Sequence, residues 1–330
     1  MPYGPFKAIP APSRTSTSQT GSSVTDSLAF RITMLALALF FRLVSVAEDT
    51  DNTLRFKSPH HYMIVVPVRI DGTGPYHFLL DTGATSSVVD PQLSRALNLS
   101  ATRGARLSSW QATTDTRRVL VENLSVGPLN CGPLSVLVQP LSEFKAFDPH
   151  LRGILGQDVL LRSNYLIDNR HHLIRFDDDG SLLNELTGDH VTIAPVSTRT
   201  GGLEPRLISI LVKIDKDPEP LHLVLDSGAD MVVLQPRYVS PVTVPKGTKW
   251  MADENGATSA ATTFHTLLSV GSKTFSAEAW TGDAGLKQLV VDGLLPTGSF
   301  DELYIANRGS FVILEPCHAH HSASLLVTQK

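Results

Sequence analysis

The stretch His77-Phe78-Leu79-Leu80-Asp81-Thr82-Gly83-Ala84-Thr85-Ser86-Ser87-Val88-Val89 decides how the rest of the chain reads. A second version follows at His222-Leu223-Val224-Leu225-Asp226-Ser227-Gly228-Ala229-Asp230-Met231-Val232-Val233-Leu234. Each is an apolar run that ends on an aspartate, followed by a hydroxyl residue, Gly-Ala and further apolar residues. The run Phe78–Leu80 reads as a buried strand that fixes the aspartate backbone. Gly83 and Gly228 permit a tight turn with close backbone approach. Thr82 and Ser227 carry hydroxyls that could bond across to the opposite loop. One such turn after an apolar run is often only a strand ending. Two copies inside a longer repeat are harder to set aside.

The repeat extends well beyond the aspartates. Superposing Asp81 on Asp226 also superposes Pro75 on Pro220, His77 on His222, Leu80 on Leu225, Val88 on Val233 and Pro91 on Pro236. Upstream, Val68-Arg69-Ile70-Asp71 matches Val212-Lys213-Ile214-Asp215. Downstream, Leu124-Ser125-Val126-Gly127 matches Leu268-Ser269-Val270-Gly271, and Gly153-Ile154-Leu155-Gly156 matches Gly293-Leu294-Leu295-Pro296. Ile167-Asp168-Asn169-Arg170 matches Ile305-Ala306-Asn307-Arg308. The anchors keep their order and similar spacing, as duplication of a unit of roughly 110 residues would produce. Such a duplication implies pseudo-two-fold packing, with the two aspartate loops meeting at the axis.

Two carboxyls held around one water suit hydrolysis of a carbonyl substrate. One takes a proton from the water while the other, still protonated, donates to the carbonyl oxygen. Carboxyls a few ångströms apart cannot both ionise easily, so they share a proton, and the resulting titrations belong to the pair.

These motifs resemble the retropepsin-like aspartic proteases. Asp81-Thr82-Gly83-Ala84 with an apolar continuation, and later Gly153-Ile154-Leu155-Gly156-Gln157-Asp158-Val159-Leu160, are similar to the unit that retroviral proteases use as a homodimer. Tandem copies in one chain resemble the single-chain bilobal enzymes of bacteria and, more distantly, pepsin. The resemblance spans Tyr62–Leu314. It implies a mostly β, bilobal acid-protease-like fold of two pseudo-two-fold related β-barrel lobes. It also implies an aspartic endopeptidase with Asp81 and Asp226 catalytic, supported by Thr82, Gly83, Ser227 and Gly228. A peptide or protein is the expected substrate, the chain acts as a monomer, and no metal or organic cofactor is needed. The second half departs from the family pattern, because Pro296 stands where that pattern has Gly. That change favours one alternative, a peptide-binding protein of the same fold without catalysis.

The remaining chain fits around this frame. Its 330 residues suit a leader and two lobes, and 42% hydrophobic residues allow a sizeable core. A net charge of −4 with no basic block gives nucleic-acid binding no support. Residues 1–47 read as a disordered leader plus a signal peptide or membrane anchor. Their short apolar run Ile32–Phe41 follows Arg31, and Ser45 and Ala47 stand at cleavage-site positions. The protein is therefore expected to be exported, periplasmic or secreted, or else membrane-anchored. The lobes are expected at 48–186 and 204–316, joined by a Gly-, Pro-, Thr- and Ser-rich linker at 187–203 and followed by a flexible tail at 317–330.

Two hairpins could cover the site as flaps. One is centred on Trp110, and the other carries Asn255-Gly256, a strong hairpin signal. Asp90-Pro91 predicts a helix start. Gln157–Arg162 reads as a second short helix. Asp177-Asp178-Asp179-Gly180 reads as a solvated turn, since the ordered ligand spacing of a calcium loop is absent. Cys131 and Cys317 could pair in an oxidising compartment or remain free. The tail Cys317-His318-Ala319-His320-His321 has metal-binding residue types but no second cluster, so no metal site is assigned. Asn98 and Asn123 lie in glycosylation patterns that matter only in a eukaryotic secretory pathway.

Overall fold

The structure is a computed structural model. It describes residues 52–59, 63–108, 113–142, 144–199, 201–204, 206–214, 219–235, 247–252, 258–281 and 289–317. The leader at 1–47, Trp110, Asn255, Gly256 and the tail from His318 lie outside these residues. Among the described residues no helix is long and apolar enough to cross a membrane.

The fold is mostly β and bilobal. The described strands form sheets of nine, seven, six and two strands. The nine-stranded sheet is built from residues of the first half and the seven-stranded sheet from the second. Both use the same arrangement around their aspartate. In the first half, Thr73–Leu80 runs parallel to Leu151–Leu155, with Leu80 opposite Leu155. The chain then turns through Asp81 and returns as Val88–Val89, antiparallel on the far side of Leu151–Leu155. In the second half, Leu221–Asp226 runs parallel to Gly293–Pro296, with Leu225 opposite Leu295. Val232–Leu234 then returns antiparallel on the far side. Each aspartate turn is thereby clasped around the end of an inserted third strand.

These inner strands are apolar because both faces are covered. Phe78, Leu80, Leu155, Leu225 and Leu295 are each fully buried in the main core. Continuous apolar runs are what a strand buried on both faces requires. Leu79 sits instead in a separate cluster with Met63, Val65, Val88 and Leu151, because alternate residues of a strand face opposite sides.

Both sheets curl back on themselves. The long strand Thr258–Val270 pairs with Lys273–Thr281 and also, near its end, with Ser209–Ile214. In the first half two shorter strands divide this task. Thr113–Val121 pairs with Leu134–Val138, and Leu124–Val126 pairs with Val65–Ile70.

The six-stranded sheet joins the halves. Its central pair is Asn164–Asp168 from the first and Phe300–Ala306 from the second, with Tyr165 opposite Ile305 and Ile167 opposite Leu303. Two asparagines cross between the halves beside it. Asn169 donates Nδ2–H to the carbonyls of Thr297 (3.0 Å) and Phe300 (2.9 Å). Asn307 donates Nδ2–H to the carbonyls of Leu160 (3.1 Å) and Ser163 (2.6 Å).

One expectation needs revision, and two others are filled in by the structure. The segment expected as a linker, 187–203, is structured in part. His190–Thr192 pairs with Phe311–Pro316, and Ser197–Thr198 pairs with Leu289–Val290. Val191 and Ile193 pack on the main core and Val196 is buried, so a few apolar anchors outweigh a loop-like composition. Asp177, expected in a solvated turn, is buried and accepts a hydrogen bond from the Tyr304 hydroxyl at 2.6 Å. Cys131 is buried, Cys317 is exposed, and both are free thiols.

The remaining landmarks fall close to expectation. Pro91–Ala96 is a helix whose N-cap, Asp90, accepts from the Leu93 N–H. Gln157–Leu160 is the second short helix. The hairpin strands Ala101–Ser108 with Thr113–Val121, and Gly247–Ala252 with Thr258–Val270, flank the positions of Trp110 and of Asn255-Gly256.

Candidate active site

The two aspartate turns meet. A Cβ placed on Gly83 would lie 2.7 Å from the Asp226 carboxyl carbon. One placed on Gly228 would lie 3.2 Å from that of Asp81. Each carboxyl therefore rests against the glycine of the opposite loop, at Gly83 closer than any Cβ would allow and at Gly228 only tightly. Each is also oriented by its own loop. The Gly83 N–H donates to Asp81 Oδ1 (2.8 Å), and the Gly228 N–H donates to Asp226 Oδ1 (2.7 Å). The two carboxyls lie close enough for each to shift the other's proton affinity.

Both carboxyls are half-buried. Burial, only partly offset by the Gly83 N–H, raises Asp81 above its ordinary value of 3.8. Asp226 is raised well above the same value, by burial first and by the neighbouring Asp81 charge second. Dehydration disfavours the ionised form, and a second carboxylate alongside disfavours it further. One proton shared by the pair relieves both effects.

Thr82 and Ser227 sit directly beneath, both fully buried. The Thr82 N–H donates to Ser227 Oγ (3.0 Å), and the Ser227 N–H donates to Thr82 Oγ1 (2.9 Å). Their hydroxyls donate onward, Thr82 to the Leu225 carbonyl (2.8 Å) and Ser227 to the Leu80 carbonyl (2.7 Å). Every polar group of the crossing is matched, as a buried network requires.

The third strand holds the Asp81 loop in place. The Asp81 N–H donates to the Leu155 carbonyl at 3.0 Å. The Gly156 N–H donates to Ser87 Oγ (3.0 Å), whose own hydroxyl donates to Asp158 (2.6 Å). Gly156 has no room for a side chain, because a Cβ would lie 2.7 Å from the Ser86 carbonyl carbon.

The second half solves the same problem with different residues. Pro296 pairs with Asp226 at the position matching Gly156 and is buried. Proline has no N–H to satisfy. The residue matching Ser87 is Val232, buried and without a hydroxyl. Donor and acceptor are thus both replaced by apolar groups, an exchange that can be nearly neutral. The strand pairing around Asp226 is preserved despite the proline.

Sequence reasoning gave no role to Gln157, Asp158 or Ser87. Their contacts join residues about 70 positions apart in the chain, as the separation of 71 between Ser87 and Asp158 illustrates, and no local pattern announces them. His77 and His222 stand four residues before each aspartate. The His77 ring hydrogen-bonds to Asp148 Oδ2 through Nδ1 (2.6 Å). The His222 backbone N–H donates to Asp292 Oδ2 (2.8 Å). Among the described residues no group of three or more His, Cys, Asp or Glu could hold a metal ion.

A family model described as "Aspartyl protease" matches residues 66–159. A solved structure described as a retropepsin-like aspartic protease from Rickettsia conorii is 15% identical, with a TM-score of 0.29, covering 38% of this chain and 87% of that one. No curated protein matches. Over residues 66–159, the stretch that carries Asp81, Thr82, Gly83 and Gly156, the chain is similar to the aspartyl proteases.

Proposed function

We propose that this protein is an aspartic endopeptidase in which Asp81 and Asp226 act as one catalytic pair. The observation that carries the reading is the seating of each carboxyl against the glycine of the opposite loop, which brings the two together. The raised affinity of Asp226 for its proton supports a singly protonated pair as the resting state.

In that state one carboxylate accepts a proton from a water held between the two. The water oxygen forms a bond to the peptide carbonyl carbon, and the protonated carboxyl donates to the carbonyl oxygen. The tetrahedral species collapses as the C–N bond breaks. The leaving nitrogen takes a proton from the pair while a hydroxyl of the tetrahedral species gives one back, so the pair returns to its singly protonated form. Two carboxyls and water account for every proton. A substrate lying extended along the cleft pairs its backbone with strand edges and alternates its side chains between the two walls. Both aspartates belong to one chain, so a monomer suffices. Export or membrane anchoring is part of the same proposal and rests on the sequence of residues 1–47 alone.

The test is cleavage of a peptide library by the full-length protein from acidic to neutral pH, beside Asp81→Asn and Asp226→Asn. Cleavage by the wild type, with loss in both folded variants, is the expected result. Undiminished cleavage by either variant, or no cleavage by the folded wild type at any pH, overturns the reading.

A further inference from the structure

The two aspartate loops are supported unequally, and the difference centres on one buried side chain. Gln157 is fully buried. Its Nε2–H donates to the Thr82 carbonyl at 2.8 Å, and its backbone N–H donates to the Ala84 carbonyl at 2.8 Å. Gln157 therefore holds the Asp81 loop at two points, on either side of Gly83. Behind it stands Tyr165, also fully buried, on the central strand of the sheet that joins the halves. Gln157 Oε1 and the Tyr165 hydroxyl make no hydrogen bond among the described residues, so the support that Gln157 gives the Asp81 loop lies in its two donors.

The second half lacks this tie. Thr297 occupies the position matching Gln157, one residue beyond Pro296. It is equally buried, but its Oγ1 makes no hydrogen bond among the described residues. Its side chain is two heavy atoms shorter than that of glutamine. A buried amide with a matched donor, facing a buried hydroxyl with none, is a difference in support rather than in packing.

We propose that Gln157 is a positioning residue for the reaction. Its Nε2–H fixes the Thr82 carbonyl and so the direction of the Asp81 carboxyl, and this clamp serves one aspartate of the two. The inference rests on the peptidase reading and deepens it, since it makes Asp81 the more tightly held member of the pair.

The test compares two substitutions of similar length in the full chain. Gln157→Met keeps the bulk and removes the donor. Gln157→Glu supplies an O–H donor while its carboxyl is protonated, at the acidic end of the range. The expected result for Gln157→Met is a kcat lower by about 10- to 100-fold, the scale of a small misplacement of a reacting group, with KM within about twofold. Gln157→Glu restores kcat towards wild type at acidic pH. Wild-type kcat in Gln157→Met, or no recovery in Gln157→Glu, overturns the proposal.

Hydrogen exchange gives a readout that needs no turnover. The Thr82 and Gly83 amides exchange faster in Gln157→Met and unchanged in Thr297→Val, which loses only an unpaired hydroxyl. Equal exchange in wild type and Gln157→Met also overturns the proposal. Active wild type with an unaffected Gln157→Met would sink the clamp alone. Inactive wild type would sink the peptidase reading while exchange still decides the clamp.

Discussion

Thr82 and Ser227 hold each other across the molecule, each hydroxyl accepting the other's amide N–H and donating to the carbonyl that precedes the other's aspartate. Neither residue could do this within its own half. Ser227→Ala leaves the Thr82 N–H and the Leu80 carbonyl without their partner. Stranding two buried groups costs about 2–5 kcal/mol, read as a lower midpoint in urea. Thr82→Ser keeps the hydroxyl and should lose much less. Equal stability of Ser227→Ala and wild type would mean that the crossing contributes nothing.

Gly83 and Gly228 are not equivalent as substitution sites. An alanine methyl at Gly83 would lie 2.7 Å from the Asp226 carboxyl carbon, whereas at Gly228 its nearest neighbours are 3.2 Å away. Gly83→Ala must displace the Asp226 carboxyl, so its cleavage rate should fall by about 100-fold or more. Gly228→Ala needs only a few tenths of an ångström of adjustment and should fall less. Steady-state kinetics on both variants, with thermal melts to confirm folding, measures the ordering. The reverse ordering would contradict the geometry.

The raised carboxyls make stability fall with pH. A group that binds its proton more tightly when folded stabilises the fold fully below its unfolded value and loses that contribution as pH rises through its folded value. For Asp81 and Asp226 the window opens near 3.8 and extends upward, further for Asp226. Asp226→Asn removes the repulsion, so its melting temperature should exceed that of wild type at neutral pH. The gap should close below the ordinary carboxylate range. Cleavage should decline over the same rising limb as the shared proton is lost. A gap independent of pH would show that ionisation of the pair is not its source.

Pro296 and Val232 should behave as a matched set. Pro296→Gly restores an N–H where no hydroxyl waits for it, and should cost about 1–3 kcal/mol. Adding Val232→Ser supplies the acceptor that Ser87 provides in the first half. The double variant should recover about 1 kcal/mol relative to the sum of the singles. Strict additivity in a denaturation cycle would mean that the two positions do not communicate.

The β character and the two aspartate turns can be read directly from the sequence. Apolar runs such as Phe78–Leu80 and Leu223–Leu225 end on Asp and Gly, and burial on both faces leaves no other residue types suitable there. The joining sheet cannot be read in this way. Asn164–Asp168 and Phe300–Ala306 pair across a long stretch of chain, and strand pairing of such range leaves no local signature. Asp177 illustrates the same limit. A run of three aspartates reads as surface because charged residues are mostly exposed, and burial of the first one is met by donors that include Tyr304, from the other half. The short strands within 187–203 are hard to read because Val191, Ile193 and Val196 are few among many loop-forming residues. Gln157 was visible within Gly153–Leu160, but its function depends on a carbonyl 75 residues away.

The crossed asparagines and the strand pair between the halves carry one more consequence. The segment around the exposed Gly201 is a covalent connection between parts that are already zipped together. Severing the backbone there would remove no strand of the joining sheet. The two fragments would remain associated, Asn169 of one still gripping Thr297 of the other and Asn307 still gripping Leu160. The molecule therefore has the makings of a split protein, whose halves, expressed apart, would report their reunion by bringing Asp81 and Asp226 face to face.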